Sequence, residues 1–102
     1  MALPRNRESM VEISESTKRR YFINLHEQLQ NLRHAMEKSD FSAVAEICHR
    51  VRGSANLFGL KDLGEACQEM EEAAVHQDPE RMVEEFQVIE VIISRNAISE
   101  AS

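Results

Sequence analysis

Apolar residues recur at intervals of three and four residues in four separate segments, and this spacing limits the possible folds more than any other feature. Such spacing places the apolar side chains on one face of an α-helix. Strand-like alternation and the Asn-Gly or Asp-Gly signals of tight hairpins are absent from the sequence. The sequence therefore predicts an all-α protein. The stripe of the first segment consists of Phe22, Leu25, Leu29, Leu32 and Met36.

Short breaks separate the four segments. Ser39-Asp40 interrupts the apolar pattern. Gly59 follows the last apolar residue of the second segment, where the end of a helix favours glycine. Asp78-Pro79 combines an N-cap residue with proline in the first turn of the next helix. Connections this short make successive helices antiparallel, so we expect an up-down four-helix bundle. The helices should begin near Ser16 or Thr17, Phe41, Leu60 and Pro79, and the last should fade near Ala97. The expected core includes Phe22, Leu29, Val44, Val51, Leu63, Met70, Phe86 and Ile89.

The bundle is expected to occupy residues 16–97, with residues 98–102 as a C-terminal tail. Residues 1–15 form either a loose tail or a short extra helix that closes one end of the bundle. Cys48 and Cys67 lie at apolar positions of helical patterns, where cysteine behaves as a small hydrophobe. Two cysteines are too few for a disulfide-stabilised secreted scaffold.

Composition narrows the possible functions of the 102-residue chain. Eighteen acidic residues against twelve basic ones give a formal charge of −6, which counts against nucleic-acid binding. No apolar run approaches the roughly 18 to 20 residues that cross a bilayer. The segment Met1 to Arg7 lacks the apolar core of a signal peptide. We therefore expect a cytoplasmic, monomeric protein without a membrane or nucleic-acid partner.

The second helix is expected to point His49 away from the core. On a wheel of about 100° per residue, the apolar Val44, Ile47, Val51 and Phe58 lie roughly 160° to 220° from His49. Arg52 lies about 60° to one side and Arg50 about 100° to the other. Small or polar residues lie within about 40° of the histidine, namely Ser42, Ala45, Gly53 and Asn56.

These residue types suit phosphoryl transfer. A neutral imidazole is a nucleophile near pH 7, and Arg52 could hold the charges of a phosphoryl group. Glycine inside a helix lowers helix stability by about 1 kcal/mol relative to alanine, so we expect Gly53 to have a specific reason for its position. That reason is clearance for a docking partner or, alternatively, close helix packing. A Walker loop and an acidic magnesium cluster are absent from the sequence, which favours a carrier without its own metal or cofactor.

The stretch from His49 to Leu60 resembles the core motif of histidine-containing phosphotransfer (HPt) domains. That motif is a histidine, any residue, an apolar residue, Lys or Arg, Gly, two small residues and a later Gly-Leu. The downstream Leu63, Ala66-Cys67 and Met70-Glu71 are similar to the family's next helix. The resemblance implies that His49 accepts the phosphoryl group, Arg52 assists and Gly53 clears space. Arg52 stands where lysine is more usual, which keeps the charge and changes the hydrogen-bond geometry.

The resemblance also implies partners. They are the receiver domain of a hybrid sensor histidine kinase and the receiver domain of a response regulator, which supplies the magnesium ion. Such a chain is a phosphorelay carrier of a two-component system that is itself phosphorylated, and it is not an enzyme. The alternative hypothesis is a helical interaction or dimerisation module that transfers no phosphate. The breaks at Asp40, Gly59 and Pro79 count against a continuous coiled coil.

Overall fold

The computed structural model describes the backbone of residues 13–101 and the side chains of residues 13–96. It contains four helices, α1 (Glu15–Glu37), α2 (Phe41–Leu57), α3 (Lys61–Val75) and α4 (Pro79–Ala101). Each helix packs against the next, and α1 also packs against α4, which closes an antiparallel four-helix bundle. The all-α prediction is confirmed. The expected tail or extra helix falls mostly on residues 1–12, outside the described residues.

The turns and caps follow from local sequence. Asp40 and Asp78 each accept a hydrogen bond from the backbone N–H three residues later, at 3.1 and 3.3 Å, as an N-cap does. The cap of α1 is Ser14, whose Oγ accepts from the Thr17 N–H at 3.2 Å, so α1 begins at Glu15, one residue before the expected start near Ser16 or Thr17. Several neighbouring hydroxyls could have capped this helix. Gly59 has the positive φ, 73°, that its predicted place after α2 favours.

Six of the eight predicted core residues are buried, but Phe22 and Leu29 are half-buried. Leu25 and Leu32 are buried as expected, but the inward face of α1 is turned towards Tyr21 and Ala35. Tyr21 is held on this inward face, because its ring stacks on Phe58 with centroids 3.9 Å apart and its hydroxyl forms a 2.8 Å hydrogen bond with Ser54 Oγ. The buried residues of α1 are Tyr21, Leu25, Leu32 and Ala35.

Helices α2 and α3 form the most extensive contact in the bundle, which we call the α2–α3 seam. Small residues at this seam, including Cys48, Ala55 and Cys67, are completely buried. Both cysteines are free thiols, as expected for core positions. Burial raises the pKa of both, that of Cys67 to about 12. Within the described residues, no helix is both long and apolar enough to cross a membrane.

Candidate functional site

His49 lies near the middle of α2 on the outer surface of the bundle. Its side chain is 63 % exposed, whereas Val51 and Ile47 on the opposite face are buried. The α-helical period explains the difference, because two residues change the direction of a side chain by about 200°. The imidazole is therefore open to an approaching protein.

Three side chains meet at this point, and we call them the His49 cluster: His49, Arg52 and Glu71. The Nδ1 atom of His49 lies 3.3 Å from Arg52 Nη2 and 3.3 Å from Glu71 Oε2. Arg52 Nη1 lies 3.6 Å from Glu71 Oε1. Helix α2 supplies His49 and Arg52 one turn apart, and α3 supplies the carboxylate across the α2–α3 seam. Within residues 13–96, both polar contacts of the imidazole are at Nδ1, which leaves Nε2 for a reaction partner.

Glu71 is the residue of this cluster that the sequence did not reveal as a site residue. Its side chain is only 24 % exposed, and Oε1 is buried without a hydrogen-bond partner among the described residues. A carboxylate in this position is held against the imidazole and the guanidinium by packing. The sequence signal was an acid directly after the buried Met70 on α3, but its proximity to His49 depends on how α2 and α3 are aligned.

The glycines of the two helices meet different surroundings. A Cβ atom added at Gly53 would meet no atom within 4 Å, so packing inside the chain does not require glycine there. A Cβ atom at Gly64 of α3 would lie 2.9 Å from Asn56 Oδ1 and 3.9 Å from Arg52 Cγ. Close approach of the two helices therefore occurs at Gly64, beside the arginine of the His49 cluster.

The other predicted site residues take three different positions. Ser42 and Asn56 are exposed on the outer face of α2, and Ala45 is half-buried against the core. Arg50 is exposed and forms no ion pair within residues 13–96. The structure thus brings Arg52 to the histidine and leaves Arg50 apart from it. In the same residues, no group of three or more His, Cys, Asp or Glu side chains is arranged to hold a metal ion.

An exposed histidine on an antiparallel four-helix bundle, with a cation one turn later, is the arrangement of a histidine phosphotransfer protein. The family model of the Hpt domain matches residues 18–98, which is most of the chain. The chain belongs to the Hpt domain family. No curated protein and no solved structure matches it. Membership of this family makes the chain a phosphotransfer carrier of two-component phosphorelays that interacts with receiver domains.

Proposed function

We propose that His49 is the phosphoacceptor of the carrier. It receives a phosphoryl group from an aspartyl phosphate in the receiver domain of a hybrid sensor kinase and passes it to the aspartate of a response regulator, or returns it. The observation that carries this proposal is the exposed imidazole whose Nδ1 lies 3.3 Å from both Arg52 Nη2 and Glu71 Oε2. Its Nε2 is the atom left for attack on phosphorus.

In the proposed step, the Nε2 lone pair forms the N–P bond while the P–O bond to the aspartate breaks. The electron pair of that bond leaves with the aspartate as a carboxylate. A magnesium ion held by the receiver domain would neutralise the phosphoryl oxygens. The ring gains positive charge as the N–P bond forms, and the Glu71 carboxylate beside Nδ1 stabilises it. The reverse sequence transfers the group to the second receiver.

Glu71 also selects the reactive tautomer. If Nδ1 carries the proton, it donates to Glu71 Oε2, and Nε2 keeps a free lone pair. In the other tautomer Nδ1 accepts from Arg52, and the proton on Nε2 blocks attack. A carboxylate accepts from the Nδ1–H and cannot donate to Nδ1, so Glu71 favours the first tautomer. Glu71 is therefore a positioning residue, because it acts through His49.

Arg52 and the small residues complete the proposed site. The Arg52 side chain is 31 % exposed, and its guanidinium beside the imidazole can donate charge-assisted hydrogen bonds to the phosphoryl oxygens. Arg50 is a second and more distant cation for the same group. The open space beside Gly53 admits the receiver's active-site loops. Ser42, Ala45 and Asn56 widen this clearance along the outer face of α2.

The test is phosphorylation of the 102-residue chain by a phosphorylated receiver domain, followed by intact mass and site mapping. His49→Gln is expected to keep the melting temperature and to lose phosphoryl acceptance completely, because an exposed side chain carries little packing energy. His34→Gln, on the exposed face of α1, is the matched control and should be phosphorylated like the parent.

Two results would contradict the proposal. One is a phosphoryl group on another residue, or full acceptance by His49→Gln. The other is a folded parent chain that no phosphorylated receiver domain and no acetyl phosphate can modify. The latter result would favour the alternative of an interaction module that transfers no phosphate.

A further inference from the structure

An open groove of about 880 Å³ lies between α3 and α4. It is on a different side of α3 from the His49 cluster. Asp62, on the rim of the groove, is nine residues before Glu71 and hence about 180° from it around the helix. A partner seated in this groove would leave His49 free for a receiver domain.

The floor of the groove exposes more apolar surface than the packing of the bundle requires. Ile92 and Ala66 are buried at its base, but Val88 and Val91 of α4 remain 45 % and 58 % exposed. The core stripe of α4 is already complete without these two valines. Valine is also a weaker helix former than alanine, because its χ1 is restricted against the preceding turn. Neither helix formation nor core packing explains why both positions are valine.

The rim of the groove is acidic. Among residues 13–96, five carboxylates line it, against one cation, Arg95. Glu69 pairs with Arg81 of α4. The other four form no ion pair within residues 13–96. Their mutual repulsion lowers the stability of the folded chain, so folding alone does not explain this concentration of carboxylates. These four are Asp62, Glu65, Glu84 and Glu85.

We propose that the α3–α4 groove is a second docking surface, which binds a basic amphipathic helix of a partner protein. The apolar face of that helix covers Val88 and Val91, and its Lys or Arg residues meet the carboxylates of the rim. The groove extends from Asp62 to Glu69 along α3 and from Glu84 to Arg95 along α4. At 1.5 Å per residue these spans are about 10 to 17 Å, which accommodates two to three helical turns. This is the helix-in-groove mode of recognition.

Charge complementarity selects this occupant over others. A second copy of the chain in a symmetric dimer would place one acidic rim against its own equivalent, and like charges in contact are unfavourable. Phosphate groups of lipids or nucleic acids would be repelled in the same way. The proposal concerns a surface apart from His49, so it does not depend on the proposed phosphoacceptor.

The test uses a synthetic helical peptide of about 14 residues, or four turns, with leucine on one face and lysine on the others. The isotope-labelled 102-residue chain is titrated with this peptide, and amide chemical shifts locate the contact. We expect the shifts to concentrate on the groove-facing residues of α3 and α4. Raising the salt concentration should weaken binding, because exposed charges are screened.

Two double variants separate the apolar and the charged contribution. Val88→Ser with Val91→Ser removes the floor, and Glu65→Lys with Glu84→Lys reverses half of the unpaired rim. Each is expected to raise the Kd about tenfold or more, which corresponds to about 1.4 kcal/mol. The matched controls are Val83→Ser, a 46 % exposed valine of α4 outside the groove, and Glu37→Lys at the end of α1. These should bind like the parent, and all variants should keep the parent's phosphoryl acceptance.

The proposal is overturned if the peptide does not bind, if its contacts centre on the His49 face, or if the valine variant binds as well as Val83→Ser. A peptide with glutamate in place of lysine that binds equally well would also overturn it. So would a concentration-dependent dimer that the Val88 and Val91 variant abolishes, because the groove would then be an interface between copies of the chain. The result of the peptide titration does not depend on whether His49→Gln accepts a phosphoryl group.

Discussion

Helix α3 contacts α2 and α4 in two different ways. Towards α2, it presents Gly64 and Cys67, both buried, and the helices approach closely enough for Glu71 to reach the imidazole of His49 at 3.3 Å. Towards α4, part of its surface remains an open groove, and Arg81 of α4 forms ion pairs with Glu69 and Glu72 of α3. Small buried residues thus fix the geometry of the His49 cluster. Looser packing instead leaves apolar surface available to a partner.

We expect the largest loss of stability from a substitution in the packed interior, and a much smaller one from a substitution in the groove. Met70 of α3 is completely buried, so Met70→Ala is expected to lower the free energy of unfolding by about 2–5 kcal/mol. Val91→Ala, at a position that is 58 % exposed, should change it by less than about 0.5 kcal/mol. Urea unfolding of both variants checks the difference. Equal losses would mean that Val91 belongs to the core, and the groove would lose its apolar floor as a binding feature.

The second prediction concerns the clearance beside His49. Gly53→Leu should slow transfer from a phosphorylated receiver about 100-fold, because a small displacement of reacting atoms has effects of that size. Helix propensity alone should raise stability by up to about 1 kcal/mol. Thermal unfolding and transfer rates are measured together, with Gly53→Ala as the smaller control. Transfer near the parent rate in Gly53→Leu would show that the space beside His49 is not used in docking.

The third prediction tests the link between the two helices at the His49 cluster. Glu71→Ala should lower the transfer rate about tenfold, since a hydrogen bond to a charged group contributes about 1.5–3 kcal/mol. It should also move the imidazole towards the tautomer with a proton on Nε2, as nitrogen NMR reports. Glu71→Gln keeps an acceptor for Nδ1–H, so its transfer rate and its tautomer should stay close to those of the parent.

Glu65→Ala is the matched control for this prediction, because it removes a carboxylate from the groove rim of the same helix. We expect it to leave the transfer rate and the tautomer unchanged. If the tautomer is unchanged in Glu71→Ala, Glu71 contributes only packing and does not position the imidazole.

Features encoded by adjacent residues were predictable from the sequence. Asp40 and Asp78 cap their helices as expected, and Gly59 ends α2, because caps and turns depend on a few neighbouring residues. The outward direction of His49 followed from the helical period alone. The roles assigned to Arg52, Gly53 and the other site residues remain predictions.

Features that depend on contacts between helices were not predictable in this way. The inward position of Tyr21 on α1 depends on its stacking on Phe58 and on its hydrogen bond to Ser54, residues more than thirty positions away. The pairing of Glu71 with His49 depends on the alignment of α3 along α2, where Gly64 lies against Asn56. Apolar periodicity defines a face of each helix, but it does not specify how two faces slide along each other.

A fourth prediction concerns the buried thiols of the α2–α3 seam. A cysteine in the unfolded chain ionises near pH 8.5, whereas burial keeps Cys48 neutral to high pH and raises the pKa of Cys67 to about 12. Above pH 8.5 the unfolded state therefore binds fewer protons than the folded state, and the free energy of unfolding falls as the pH rises towards 12. Urea unfolding at pH 8 and pH 10 should show this loss in the parent. In the variant Cys48→Ala with Cys67→Ala, stability should be lower at both pH values, but the decline between them should be smaller. An equal decline in parent and variant would mean that the thiols already reach solvent, and that the seam is looser than the complete burial of Cys48 and Cys67 indicates.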